Sequence, residues 1–218
     1  MTVNRGLIGL RLEEFVEKYG EPYSVKLGID LHSGRDEEIV KWFLASILYG
    51  KPIRESSATN TYLAFKEHQL LTVDKILEAG WDRLVDVLDE GGYVRYDFST
   101  ATKLLNIFSE LKKKYGGSLR RLHDSSRDSR DLEARLKALG KGIGDTTLSI
   151  FLRDMRVIWE KADPKPTPLV KLAMSKLGIN DLKEFAKKQG LDLVRLETAL
   201  LRLGKDFLRR GVKIEIEI

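Results

Sequence analysis

No cysteine occurs in the 218 residues of this chain. Its absence excludes disulfides, a thiolate nucleophile and a cysteine-ligated iron–sulfur cluster. Histidine is scarce: His32, His68 and His123 lie far apart, without the spaced partners of a zinc site. No apolar run is long enough to span a bilayer. Met1 to Leu12 is too short an apolar lead, and too soon followed by Glu13 and Glu14, for a secretory signal. The expectation is an intracellular, cytoplasmic protein with no membrane partner. Asn and Gln are few beside a charged fraction of 33%, a composition that matches proteins from hot environments.

What is present is ample for a core, since 42% of residues are hydrophobic. Lys and Arg total 38 against 33 Asp and Glu, and the net charge of +5 permits nucleic-acid binding without requiring it. Helical periodicity marks most of the chain. It predicts helices at 10–19, 37–49 (apolar nearly all round, hence deep in the core), 56–68, 73–79, 81–89 and 99–115. Further helices are predicted at 132–139, 145–159, near Pro168 to Leu177, 181–189 and 193–210. The prolines of 163–168 force an extended link, since each restricts the residue before it. Val212 to Ile218 alternates strictly and predicts a short strand. Its partner is either an earlier extended segment or a second chain. The chain is therefore expected to be all-α with one short C-terminal strand.

One stretch carries chemistry. Leu136 to Thr147 runs from an apolar helix through Leu139-Gly140-Lys141-Gly142-Ile143-Gly144 into a second helix beginning at Asp145, Thr146 and Thr147. Glycines at alternate positions let a backbone approach a ligand closely. The next helix then offers unpaired N–H groups and the positive end of its dipole to an anion. The plainer alternative is a tight helix–helix turn with Asp145 as N-cap.

This hairpin resembles the helix-hairpin-helix element of the DNA glycosylase superfamily that contains endonuclease III, whose pattern is Leu-Pro-Gly-Val-Gly followed by a helix. The resemblance extends over about residues 37–180, including the Tyr115-Gly116-Gly117 stop and the glycine- and aromatic-rich loop Gly91 to Tyr96. It implies a bilobal helical fold, with residues 37–160 as the barrel lobe containing the hairpin (132–159), and 1–36 plus 161–218 as the second lobe. It implies double-stranded DNA as partner, nucleoid association in a prokaryote, and base-excision repair of a damaged or mismatched base. Lys141, Gly142, Gly144, Thr146 and Thr147 would then grip a backbone phosphate, Tyr93 would wedge into the base stack, and Arg95 would add charge. Tyr93 and Tyr96 read equally as ordinary half-buried aromatics.

The lysine that forms a Schiff base in bifunctional members is replaced by Thr146, so a monofunctional glycosylase without lyase activity is implied. The superfamily's catalytic aspartate falls on Asp163 by residue count and on Thr167 by the apolar pattern of the following helix. Asp36, Glu37, Glu38 and Asp154 are spare carboxylates. No cofactor is expected, although the resemblance admits a monovalent cation at the hairpin. Two other readings stay open: a non-catalytic helix-hairpin-helix DNA-binding protein, and a helical protein-interaction module.

Overall fold

The structure, a computed structural model, describes residues 8–218. Those residues form twelve α-helices and one two-stranded sheet, so the all-α character expected from periodicity is observed. Their contacts divide the chain into two units, Met1–Lys26 with Lys165–Ile218, and Leu27–Pro164. No described helix is long and apolar enough to cross a membrane.

The first unit opens with β1 (Ile8–Arg11), followed at once by α1 (Leu12–Tyr19) and the short α2 (Tyr23–Lys26). The helix predicted from residue 10 therefore starts two residues later. The Arg11 amide donates to the Glu14 carboxylate at 3.2 Å, which fixes the switch from strand to helix. In the second helical unit the chain continues through α3 (Asp36–Tyr49), α4 (Glu55–Glu67), α5 (Val73–Glu90), α6 (Asp97–Tyr115), α7 (Leu119–Asp124), α8 (Ser129–Lys137) and α9 (Asp145–Met155). It returns to the first unit with α10 (Pro168–Lys176), α11 (Leu182–Gln189), α12 (Leu193–Arg202) and β2 (Ile214–Glu217).

The strand at the C-terminal end finds its partner within the chain: β2 pairs in parallel with β1, Ile8 opposite Ile214 and Arg11 opposite Glu217. A parallel pair needs a long crossover, and here almost the whole chain supplies it. Leu12, Phe15, Val16, Val170, Ala173, Leu196, Leu200 and Ile214 share one buried core in this unit. The helix predicted over 193–210 is regular only to Arg202. It continues as a π turn (Leu203–Phe207), where Gly204 packs its backbone on the Leu169 carbonyl, and a 3₁₀ turn (Leu208–Arg210).

In the unit Leu27–Pro164, α3 is buried on nearly every side, as expected of a helix without a polar face. The Trp42 indole N–H donates to the Phe151 carbonyl at 3.1 Å, and the Phe43 ring meets Phe108 and Phe151 edge-on at 6.2 and 5.0 Å. The helix predicted to reach Trp159 ends at Met155. There the chain turns and stacks Trp159 on His123 at 4.6 Å.

The two helices predicted over 73–79 and 81–89 are the arms of α5, joined at Gly80, where φ is +71° and ψ 178°. Only glycine enters that region without strain. A Cβ on Gly80 would meet nothing within 4 Å, so the cost of Gly80→Ala is confined to the backbone. Gly80→Ala is expected to lower unfolding free energy by about 1–3 kcal/mol in urea titration. A change below measurement error would refute the bend.

Candidate nucleic-acid interface

The hairpin joins α8 to α9 and is anchored from below by apolar side chains. Leu136, Leu139 and Ile143 are buried, so the loop between them is held against α6. The three glycines do different work. A Cβ on Gly140 would approach the Ile107 side chain to 3.0 Å, so Gly140 serves close packing. Gly142 alone has positive φ, +119°, and the Lys103 side chain lies along it, 3.1 Å from where a Cβ would stand. Gly144 is extended (φ −97°, ψ −177°), faces open space and occupies the N-cap of α9.

No side chain caps α9. The reading of Asp145 as N-cap is therefore corrected: its exposed carboxylate lies 2.7 Å from the Lys137 ammonium. No side chain caps the first N–H groups of this eleven-residue helix, and Lys141, Gly144 and Thr146 are exposed beside them.

Thr147 is also corrected as a phosphate ligand. It is 2% exposed, its hydroxyl donates to the Gly142 carbonyl at 3.5 Å, and it lies directly against Gly50 at the end of α3. Thr147 ties the hairpin to α3 rather than to a ligand. Gly50 has to be glycine, because a Cβ there would stand 2.2 Å from the Thr147 hydroxyl.

That contact brings Lys51, the residue after Gly50, to the hairpin. Lys51 is half-buried and within hydrogen-bonding reach of Lys103 on α6. Burial, reinforced by the Lys103 ammonium, pushes the Lys51 pKa down to about 8. Among the described residues no ion pair takes up Lys51, Lys103 or Lys141. Lys103 did not stand out in the sequence, since one lysine on a long amphipathic helix carries no local signal.

The loop following α5 is arranged differently from expectation. Tyr93 is 1% exposed and its hydroxyl donates to the Leu48 carbonyl at 2.6 Å, in the last turn of α3. Burial, with Tyr96 nearby, pushes its pKa up. Tyr93 therefore closes an orphan carbonyl of α3 and cannot wedge into a base stack. Val94, 65% exposed, and Arg95 are the outward residues of the loop. Asp89 and Asp97 flank it, and a hydrogen bond between them raises the Asp89 pKa, with burial and Asp86 adding to it.

Of the two candidates for the catalytic group, Thr167 is committed to structure, as the N-cap of α10 accepting from the Val170 amide at 3.4 Å. Asp163 belongs to the other unit, with a side chain 43% exposed and 3.9 Å from the Arg156 guanidinium. Arg156 in turn donates to the Pro164 carbonyl at 3.0 Å, which fixes the turn that carries Asp163.

Three of the spare carboxylates are also committed. Asp36 accepts from the Ser118 hydroxyl and the Leu119 and Arg120 amides at the start of α7. Glu38 is buried. Burial opposes its ionisation, yet Lys41, the Asp30 amide and Arg35 hold its carboxyl below the usual range. Asp154 is buried against Arg153 at 3.0 Å.

Elsewhere in this unit a cavity of about 410 Å³ is lined by residues including Arg120, His123, Asp124, Glu160 and Lys161. Acids and bases are mixed there. Among the described residues no group of three His, Asp or Glu is arranged to hold a metal ion. No family model, curated protein or solved structure matches the chain.

Proposed function

We propose that this protein binds duplex DNA through the 139–144 hairpin and excises a damaged or mismatched base by hydrolysing its N-glycosidic bond. The observation that carries the reading is the uncapped N-terminus of α9, presented on a glycine hairpin beside Lys51, Lys103 and Lys141. Uncapped amides, a helix dipole and lysines outside ion pairs together form a cradle for a backbone phosphate. Most protein–DNA hydrogen bonds go to such phosphates and fix register without reading sequence.

In the excision step Asp163 is the carboxylate that stabilises the developing cationic sugar and directs water to it. Its partial exposure and its fixed turn support that role, and Thr167, with its hydroxyl bound to Val170, does not compete for it. Thr146 supplies no amine, so the hairpin itself does not support Schiff-base chemistry. The base is extruded into a pocket for this reaction, and nothing in the hairpin selects among bases.

Gly144 offers a clean test, since a side chain there meets open space at an ordinary φ, whereas any substitution of Gly142 would strain the backbone. Gly144→Glu sets a negative charge at the helix N-terminus and is expected to weaken duplex binding about tenfold or more without changing the melting temperature. Wild-type affinity should fall with salt at a log–log slope of about −0.9 per phosphate neutralised. Unchanged affinity in Gly144→Glu would move the contacts elsewhere, and no binding at low salt would leave the helical interaction module. Chromatography of released base from duplexes carrying oxidised, deaminated, alkylated or mismatched bases, wild type beside Asp163→Asn, separates the enzyme from a non-catalytic binder.

A further inference from the structure

The cavity of about 410 Å³ lies in the unit Leu27–Pro164, away from the hairpin. Helices α3 and α9 run antiparallel, with Gly50 against Thr147 at one end and the Trp42 indole on the Phe151 carbonyl midway. Gly34 and Ile39, which line the cavity, stand at the other end of α3. About 16 Å of helix separates Ile39 from Gly50, so the phosphate cradle and the cavity are separate places in the fold.

The chemistry of the cavity is two-sided. Arg120 and Lys161 bring positive charge to its wall, and Asp124 and Glu160 bring negative. Among the described residues, Arg120, Glu160 and Lys161 nevertheless enter no ion pair. Opposite charges that share a cavity without pairing are not neutralised by one another, and each keeps its attraction for a ligand. The Lys161 ammonium is held in place by the His123 carbonyl, to which it donates at 3.1 Å, and it keeps two further N–H donors. One oxygen of Asp124 lies 3.2 Å from His123 Nδ1, which leaves the other for a second partner. The apolar part of the wall comes from Ile39, Ile158 and Trp159, whose indole stacks on the His123 ring at 4.6 Å. His123 is 7% exposed and, among the described residues, its Nε2 has no hydrogen-bond partner. Such orphans are few in folded proteins, and each asks for a reason beyond packing.

We propose that this cavity binds a free α-amino acid with an apolar side chain. A ligand charged with one sign alone is repelled by part of the wall, whereas a zwitterion is matched by both parts. Its carboxylate takes the Arg120 guanidinium fork and the remaining N–H donors of Lys161. Its ammonium takes Glu160, with the second Asp124 oxygen beside it. The side chain lies along Ile39, Ile158 and the edge of the stacked Trp159 and His123 rings, in a space of the size that small ligands occupy. The proposal stands apart from the DNA reading, since none of these residues belongs to the hairpin.

Isothermal titration calorimetry of the full chain with L-leucine and L-phenylalanine tests it. The companion probes each lack one element: isocaproate has no ammonium, isoamylamine no carboxylate, and glycine no side chain. Adenosine monophosphate is the nucleotide control. The expected result is saturable one-site binding of L-leucine or L-phenylalanine, with each deficient probe and the D-enantiomer weaker by about tenfold or more. Glu160→Gln should weaken the amino acid by about tenfold or more and leave the feeble binding of isocaproate unchanged. Arg120→Met should do the same to the amino acid and leave isoamylamine unchanged. Both side chains are exposed, so the melting temperature of the free protein should stay at the wild-type value, while saturating amino acid should raise it in wild type alone.

No saturable heat from either amino acid at millimolar concentration, equal binding of isocaproate or isoamylamine, or undiminished affinity in either variant would each overturn the proposal. Saturable binding of adenosine monophosphate without binding of the amino acids would overturn it as well, and would make the cavity a nucleotide site.

Discussion

Tyr93→Ala is expected to lower unfolding free energy by about 3–5 kcal/mol, among the largest losses a single substitution in this chain can produce. The ring is 1% exposed, and its centre lies 6.4 Å from that of the Tyr96 ring in a tilted, edge-on contact. Its deletion removes a large apolar surface, and it also strips the Leu48 carbonyl of its 2.6 Å partner at the end of α3. Tyr93→Phe separates the two contributions: the ring stays, and the lost hydroxyl alone costs about 1–2 kcal/mol. Denaturant titration with an unchanged m-value measures both. A residue that wedges into DNA would behave in the opposite way, with stability kept and duplex affinity lost. That outcome would overturn the burial.

Asp154→Ala is expected to cost a similar amount, about 3–5 kcal/mol, for a different reason. Asp154 and Arg153 form an ion pair at 3.0 Å with side chains 1% and 3% exposed. Removing the carboxylate leaves a guanidinium buried without that counter-charge, and most of the loss is its desolvation rather than the worth of the pair. The double replacement Arg153→Met with Asp154→Leu should therefore recover much of the stability lost in Asp154→Ala. A double-mutant cycle, followed by thermal and chemical unfolding, reads the coupling directly. If the single and double variants were equally destabilised, packing around α9 rather than buried charge would be responsible.

These two residues also show where reading the sequence runs short. Arg153 and Asp154 lie beside the apolar face of a predicted helix, and nothing in their spacing says that both are enclosed. Tyr93 stands in a glycine-rich loop, which favours exposure, yet its hydroxyl reaches a carbonyl 45 residues earlier. Thr147 looks like a helix-start hydroxyl and is instead pressed on Gly50. In each case the partner comes from a distant part of the chain, and local periodicity carries no information about it.

Local signals were strong where the physics is local. Tyr115-Gly116-Gly117 ends α6 with Gly116 in a left-handed cap, and Thr167-Pro168 starts α10 as hydroxyl cap and first-turn proline. Strict alternation located β2, and the heavily apolar composition of α3 foretold its burial. The glycine hairpin could be found from three residues spaced two apart, because backbone freedom belongs to the residue itself.

By itself, then, the sequence determined most of the helices, the stop at Gly116, the glycine hairpin and the exclusion of thiol chemistry, since each depends on neighbours within a few residues. Only the tertiary structure decided that β2 pairs with β1 in the same chain, that Tyr93 and Thr147 are interior, and that Lys51 meets Lys103 across the hairpin. The physical reason is the same throughout: burial and the pairing of charges depend on which distant segments fold against each other, and one helix turn cannot encode that.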